Sequence, residues 1–321
     1  MIKFQNEAPI RLPLTIATPE EGDELIRRGE AAFEARLNAC AAAISEDCIT
    51  HGVRVIRLAG PTCAGKSPAA EKLTEALEAK GRVVYPISID DFYYGRDVLH
   101  AQSEEAGEHL DYDSVKTIDL PCLATVVQDL IRTGSAEIPQ FNFLTGYRDG
   151  YRTLTVPDGV QPVFLFEGIQ AVYPEVTALF EGVSERSLFI HPMQEIILVD
   201  GEGRERVFGS ADIRLLRRLV RDEAKRGSYP DFTLFLWHSV RANEENAIFP
   251  NAVCCDYGLD SNMQFDIHIL VPHLRRIFAE HPCDGDEVAT ERAILASIEG
   301  VTGISDKALS PKSLYREFIV K

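Results

Sequence analysis

The sequence predicts an α/β fold, a mostly parallel sheet covered by helices on both faces. Three observations carry this. Residues 53–58, Val-Arg-Val-Ile-Arg-Leu, are strand-like and enter a glycine-rich loop, and residues 69–80, strong helix formers, leave it. Strand-like and helical segments then alternate, the pattern of a sheet built by crossover connections. Residues 163–166, Val-Phe-Leu-Phe, form a continuous apolar run, as a strand buried on both faces requires.

Each element has a local reason. Thr18-Pro-Glu-Glu is a helix start, with an N-cap, a proline at the first helical position and acids in the first turn. The helix continues from Glu24 to about Ser45. Residues 1–52 thus read as an N-terminal helical appendage, and residues 53–321 as the main domain with a C-terminal helical extension. Gly81 ends the helix after the loop, and residues 82–89 are the next strand. Residues 95–112 are polar and acidic and read as a long surface loop. Residues 114–133 look helical, with Pro121 disturbing the pattern. Residues 195–200 and 204–208 flank Gly-Glu-Gly as a hairpin, either a contact for a homo-oligomer or an exposed loop. Residues 213–226 form a basic helix ending at Gly227. Residues 232–246 are helical, and residues 265–271 read as a late strand before further helices.

Composition narrows the function. The 321-residue chain is long enough for a sizeable core, and 45% hydrophobic with 26% charged residues is ordinary for a globular protein. The net charge of −17 argues against a nucleic-acid partner. No run of 18 apolar residues exists, so no membrane span is expected, and the first residues lack the apolar region of a secretory signal. Seven cysteines form no C-x-x-C pair, which fits a reducing cytoplasm. The eight histidines lack zinc-type spacing.

Residues 60–67 are Gly-Pro-Thr-Cys-Ala-Gly-Lys-Ser, a complete G-x-x-x-x-G-K-S/T phosphate-binding loop. Gly60, Pro61, Thr62, Cys63, Ala64 and Gly65 form the cofactor-binding loop, whose glycines let backbone N–H groups turn inward around phosphates. Lys66 would reach the β/γ-phosphates, and Ser67 would ligate Mg²⁺. The helix N-terminus adds its dipole. The implied ligands are ATP and Mg²⁺. Cys63, inside the loop, is either a thiol activated by helix-terminal N–H groups or a small space-filler.

Three further signals follow. Ser88-Ile-Asp-Asp-Phe-Tyr93 comes after the second strand, where ligands gather beyond the carboxyl ends of a parallel sheet. Asp90 there is the candidate base for an attacking hydroxyl, against the alternative of a helix cap. Glu167 ends the apolar strand and is a candidate for the metal site, or a strand-end cap. Arg214, Arg217, Arg218 and Arg221 recur at three- and four-residue spacing on one helix. In so acidic a chain they suggest phosphate contact by a closing helix, against the alternative of pairing with Asp222 and Glu223.

In this order the pieces resemble the uridine kinase and phosphoribulokinase family of P-loop kinases, over roughly residues 53–260. The resemblance rests on residues 60–67 and 88–93, Leu-Asp-Tyr-Asp-Ser (110–114), Ile-Pro-Gln-Phe-Asn-Phe-Leu-Thr (138–145), Phe-Glu-Gly-Ile (166–169) and residues 212–222. Residues 313–319 look like the end of bacterial uridine-kinase-like proteins. The resemblance implies a P-loop NTPase-type sheet with a lid helix and a small acceptor-side β extension. It also implies Asp90 as catalytic aspartate with Lys66 and Arg221, and Arg217 and Arg218 with the nucleotide. Glu167 would lie beside Mg²⁺, and Asp113, Tyr93, Phe141, Arg148 and Arg214 at the acceptor. Two departures stand out. The family's tyrosine and histidine contacts to a nucleobase correspond here to Phe141 and Gly146, which removes polar discrimination for the base. Pro68 follows Ser67 and removes an amide from the phosphate cradle. The expected function is ATP-dependent phosphorylation of a small hydroxylated metabolite, a nucleoside or another ribose-containing acceptor. The alternatives are a kinase of a sugar phosphate and a regulatory nucleotide binder.

Overall fold

A computed structural model describes residues 8–107 and 112–319. Leu110 and Asp111 of the 110–114 segment and the first seven residues lie outside the described residues. In chain order the elements are β1 (Ile10–Pro13), α1 (Pro19–Thr50), β2 (Val55–Ala59), α2 (Lys66–Glu78), β3 (Val83–Ser88), α3 (Arg96–Ala106), α4 (Leu120–Thr133), β4 (Ser135–Asn142), β5 (Tyr147–Thr155) and β6 (Pro162–Glu167). They continue with α5 (Pro174–Thr177), β7 (Glu185–His191), β8 (Ile196–Val199), β9 (Glu205–Phe208), α6 (Ser210–Arg226), α7 (Pro230–Asn243), α8 (Phe249–Ala252), β10 (Tyr257–Asp260), α9 (Asp266–Glu280) and α10 (Val288–Ser297).

The centre is a five-stranded sheet of order β10-β7-β2-β6-β3, with every pairing parallel. Alternate side chains enter two separate apolar layers, the mark of a sheet covered on both faces. Ile56, Leu58, Leu165 and Ile190 join residues of α1, α2, α6 and α9. Val55, Ala59, Phe164 and Phe189 join α4 and the 169–180 turns. This is the P-loop NTPase-type α/β fold. A second sheet, β1-β8-β9, holds the expected hairpin with its Gly-Glu-Gly turn exposed. β4 and β5 form the separate antiparallel extension. Among the described residues no helix is long and apolar enough to cross a membrane.

Three segments differ from expectation. Residues 95–112 are not all loop, because α3 runs from Arg96 to Ala106. Only Leu99 of its described side chains is buried, so it carries no apolar stripe to read. Pro121 does not disturb a helix. It sits in the first turn of α4, where its missing N–H is harmless, with Asp119 as the cap. Residues 265–271 are not a strand but the start of α9. The apolar run continues at helical spacing through Leu274, Ile277 and Phe278, all buried. Pro272 inside α9 leaves the His268 carbonyl without its helical donor, and the Ile304 N–H supplies one at 3.1 Å.

Candidate functional site

The parallel sheet brings the carboxyl ends of β2, β3 and β6 to one edge, and the predicted residues gather there. Between β2 and α2, residues 60–65 are buried. Cys63 (φ 56°) and Gly65 (φ 92°) adopt left-handed backbone, which turns successive N–H groups toward one concavity. The N-cap position of α2 is Gly65 and has no capping side chain, so its first N–H groups stay available to an anion. The glycines also answer to packing. A Cβ on Gly60 would stand 2.2 Å from the Ile190 carbonyl oxygen, and one on Gly65 would stand 2.6 Å from Leu314 Cδ1. Lys66 Nζ donates to the Pro61 carbonyl at 3.2 Å and so lies back across the loop.

Beside the loop stands an acidic group. Ser88 and Glu167 end β3 and β6 in register. Glu167 Oε1 accepts from Ser88 Oγ at 3.0 Å and Ser67 Oγ at 3.2 Å. Burial raises the Glu167 carboxyl, and Lys66 with the two hydroxyls opposes that rise. Asp90 lies on the helical turn Ile89–Phe92 that follows β3. Burial, with the neighbouring Glu167 charge, pushes Asp90 up to about 7 against the pull of Lys66, with Asp113 and Asp91 adding to the rise. One hydroxyl and one carboxylate, both hard oxygens, suit Mg²⁺ at Ser67 and Glu167. Among the described residues no group of three or more His, Cys, Asp or Glu could hold a metal ion, so such an ion would complete its shell with phosphate oxygens and water.

On the far side of Asp90, Tyr93 donates to the Tyr112 carbonyl at 2.7 Å. Asp113 follows, and its carbonyl accepts from Tyr173 Oη at 3.0 Å. Gln170 donates to Tyr93 Oη at 3.3 Å. Gln170 and Tyr173, which the sequence did not single out, thus hold Tyr93 and the Asp113 carbonyl. Their signal was their place just beyond Phe166-Glu-Gly-Ile169. Tyr93, Phe141 and Phe143 form a mutual cluster of tilted and edge-on rings, with centroids 5.5, 5.2 and 6.2 Å apart. Phe143 is 61% exposed. Gly146 (φ 77°) is a turn residue, and a Cβ there would stand 2.8 Å from Arg96 Nε. Arg148 points to the root of the extension, donating to the Phe92 carbonyl at 3.0 Å and pairing with Asp119 at 3.1 Å. It ties β5 to α4, which differs from the expected substrate contact.

The arginine helix divides in two. Arg214 and Arg217 are fully buried. Arg214 makes a forked pair with Glu244 and reaches the Thr62 carbonyl at 3.4 Å. Arg217 makes a forked pair with Asp266 (2.7 and 2.8 Å), donates to the Ser261 carbonyl at 2.8 Å and reaches the Cys63 carbonyl at 3.4 Å. Tyr315 also donates to Asp266, and the Phe318 ring lies under the Arg217 guanidinium at 5.0 Å. A cradle that turns its N–H groups inward presents its carbonyls outward, so these two arginines grip the loop from behind. Here Arg217, expected at the nucleotide, and Arg214, expected at the substrate, both spend their donors on carboxylates and on backbone carbonyls. Arg218 and Arg221 are different. With Arg226 they share the single carboxylate of Asp222, at 3.2, 2.7 and 3.6 Å, which leaves an excess of positive charge. Cys63 is buried, and burial raises its thiol despite Arg221, so it is the space-filler and not an activated thiol.

Pro68 occupies the third position of α2. A Pro68→Ser variant restores one N–H to the cradle. A hydrogen bond to a charged group is worth about 1.5–3 kcal/mol, so Mg-ATP affinity is expected to rise about tenfold or more by calorimetry. Unchanged affinity would show that the missing amide plays no part.

Residues 55–199 match the Phosphoribulokinase / Uridine kinase family. A stretch of 202 residues is 24% identical to inorganic pyrophosphatase TTM2 of Arabidopsis thaliana, covering 63% of this chain and 24% of that protein. Over 188 residues the chain is 30% identical to uridine-cytidine kinase 2-B of Danio rerio, covering 55% of this chain and 62% of that one. Over 185 residues it is 28% identical to uridine kinase of Aeromonas hydrophila, covering 57% and 75%. The chain therefore spans less than two thirds of the length of the first two of these relatives.

Proposed function

We propose, from the premise that residues 55–199 are a phosphoribulokinase/uridine kinase family segment, that this protein is an ATP-dependent kinase of a hydroxyl on a small metabolite, most simply a uridine- or cytidine-like nucleoside. The observation that carries the reading is Asp90. A carboxylate raised to about 7 beside a phosphate loop suits a group that must accept a proton near neutral pH. A protein that only binds nucleotide has no use for it.

In this reading the loop from Gly60 to Ser67 holds the ATP phosphates, and Asp90 takes the proton of the attacking hydroxyl. Lys66, Arg218 and Arg221 stabilise the phosphoryl group in transfer, with the excess charge around Asp222 as their support. Ser67 and Glu167 would hold Mg²⁺, which supplies neutralising charge to the phosphates. Asp113 orients acceptor hydroxyls, and Tyr93 with Phe141 offers an aromatic wall to a base. Asp90, Asp91, Asp113 and Glu167 surround the acceptor side, while Arg148 is held by Asp119. That charge distribution favours an uncharged acceptor over a sugar phosphate. α1 shares its core with α2, which supports reading the segment before residue 53 as a helical addition to the main domain. The seven cysteines are free, which suits the cytoplasm. Pro68 is the observation that favours the second reading, a regulatory nucleotide binder.

The test is ADP release from Mg-ATP with uridine, cytidine, other nucleosides, ribulose 5-phosphate, pantothenate and simple sugars. Acceptor-dependent turnover names the substrate class. Tight ATP binding with no acceptor-dependent turnover would favour the regulatory binder. The base also sets a pH profile. Asp90 must be ionised to act, so kcat/KM is expected to fall as pH drops through about 7. A profile flat down to pH 5 would remove Asp90 as the base.

A further inference from the structure

A cavity of about 390 Å³ opens between α1 and β1, lined by Arg11, Arg28, Arg36, Gln194, Asn262 and Gln264 among others. Among the described residues three guanidiniums line it and no carboxylate does, in a chain with 50 acidic and 33 basic residues. Arg36 is half-buried, and its donors hold two neutral groups, the Asp260 carbonyl at 3.1 Å and the Asn262 carbonyl at 2.7 Å. Acids stand outside the lining. Asp260 acts on Arg36 from behind the turn, Glu205 pairs with Arg11, and Glu24 reaches Arg28 only at 4.0 Å while holding Arg27 at 3.0 Å. The charged side chains of the described lining are thus all cationic, and the Gln194 and Asn262 amides, each donating once to a carbonyl, keep a second N–H. That donor set suits a small anion with planar or tetrahedral oxygens.

The cavity wall also touches the phosphate loop through one short turn. Arg36 grips residues 260 and 262. Between them the Ser261 carbonyl accepts from Arg217, whose other nitrogen reaches the Cys63 carbonyl of the loop. We propose that this cavity binds a small oxyanion-bearing metabolite, carboxylate or phosphate, and that its occupancy shifts nucleotide affinity through the turn at residues 260–262. The site does not depend on the kinase reading, because binding is measured without an acceptor.

The test is calorimetric titration of the full chain with citrate and, separately, inorganic phosphate, to distinguish the two oxyanion sources. The Lys66→Ala variant runs in parallel, because the phosphate loop itself attracts anions. Expected is binding of one probe with the same Kd in both proteins, weakened about tenfold in Arg28→Gln, where one charged hydrogen bond is removed. Arg28 is exposed, so its loss leaves folding and basal turnover unchanged, whereas Arg36→Gln also frees two carbonyls. Saturating probe is expected to change the Mg-ADP Kd about fivefold or more, an ordinary coupling, and to lose that effect in Arg28→Gln. No binding of either probe at millimolar concentration, or binding that disappears in Lys66→Ala, overturns the site. Binding with an unchanged Mg-ADP Kd overturns the coupling.

Discussion

Asp90→Asn is expected to lower acceptor-dependent turnover about 10²–10⁴-fold, the usual contribution of a positioned base. Asparagine keeps the shape and one acceptor oxygen but cannot take a proton. Nucleotide affinity is expected to hold within a few-fold, since the loop and Lys66 are untouched. The same variant has a stability signature with a definite sign. Asp90 is raised in the fold, so its ionised form is disfavoured there relative to the unfolded chain, and wild-type stability falls as pH rises from 3.8 to about 7 and is level above that. The neutral amide removes that cost. Thermal melts are expected to show Asp90→Asn more stable than wild type at pH 8 and equal to it near pH 4. A slow, stabilised variant is the mark of a functional group held against folding. Retained turnover would end the assignment, and a variant equally destabilised at both pH values would mean a structural role for Asp90.

Arg217→Met should have the largest effect on stability. It leaves Asp266 buried and without its guanidinium, and breaking a buried pair from one side costs about 3–5 kcal/mol. Urea unfolding measures this directly. The double variant Arg217→Met with Asp266→Leu should recover much of the loss, because no charge is then left stranded. Nucleotide affinity is expected to remain low in the double variant, since the grip on the Cys63 carbonyl is still missing. Arg217→Lys keeps the charge but not the fork that meets both oxygens of Asp266, and should resemble Met more than wild type. A destabilisation below about 1 kcal/mol would mean that the pair is replaceable by water.

The centre of the site was legible because phosphate binding is local chemistry. A strand, a loop of fixed glycines and a helix start lie within a few residues of each other, and Glu167 ends a recognisable strand while Asp90 stands on the turn just after another. What lay hidden was carried by distance in sequence. The partner of Arg214 is 30 residues away and that of Arg217 is 49 away, so their spacing on α6 showed a cluster but not that two of its members face carboxylates. Asp222 was visible as a neighbour, and it does pair with Arg218 and Arg221. α9 was misread because a seven-residue apolar window does not separate a helix from a strand. β7, beside β2 in the sheet, begins Glu-Arg-Ser and gave no apolar signal at its start.

The packing of Leu314, Tyr315 and Phe318 behind the phosphate loop has a consequence for the order of events in the cell. A contact between residues so far apart in sequence closes late in folding, because a long loop of chain must first be brought together. A chain still in synthesis, or one clipped by a protease ahead of residue 313, has the whole phosphate-binding motif and the strands around it, yet lacks the surface on which Gly65 rests and the hydroxyl that holds Asp266. The backing of the loop is therefore complete only once residues 313–319 are in place, and in the proposed reading ATP binding is expected to wait for them.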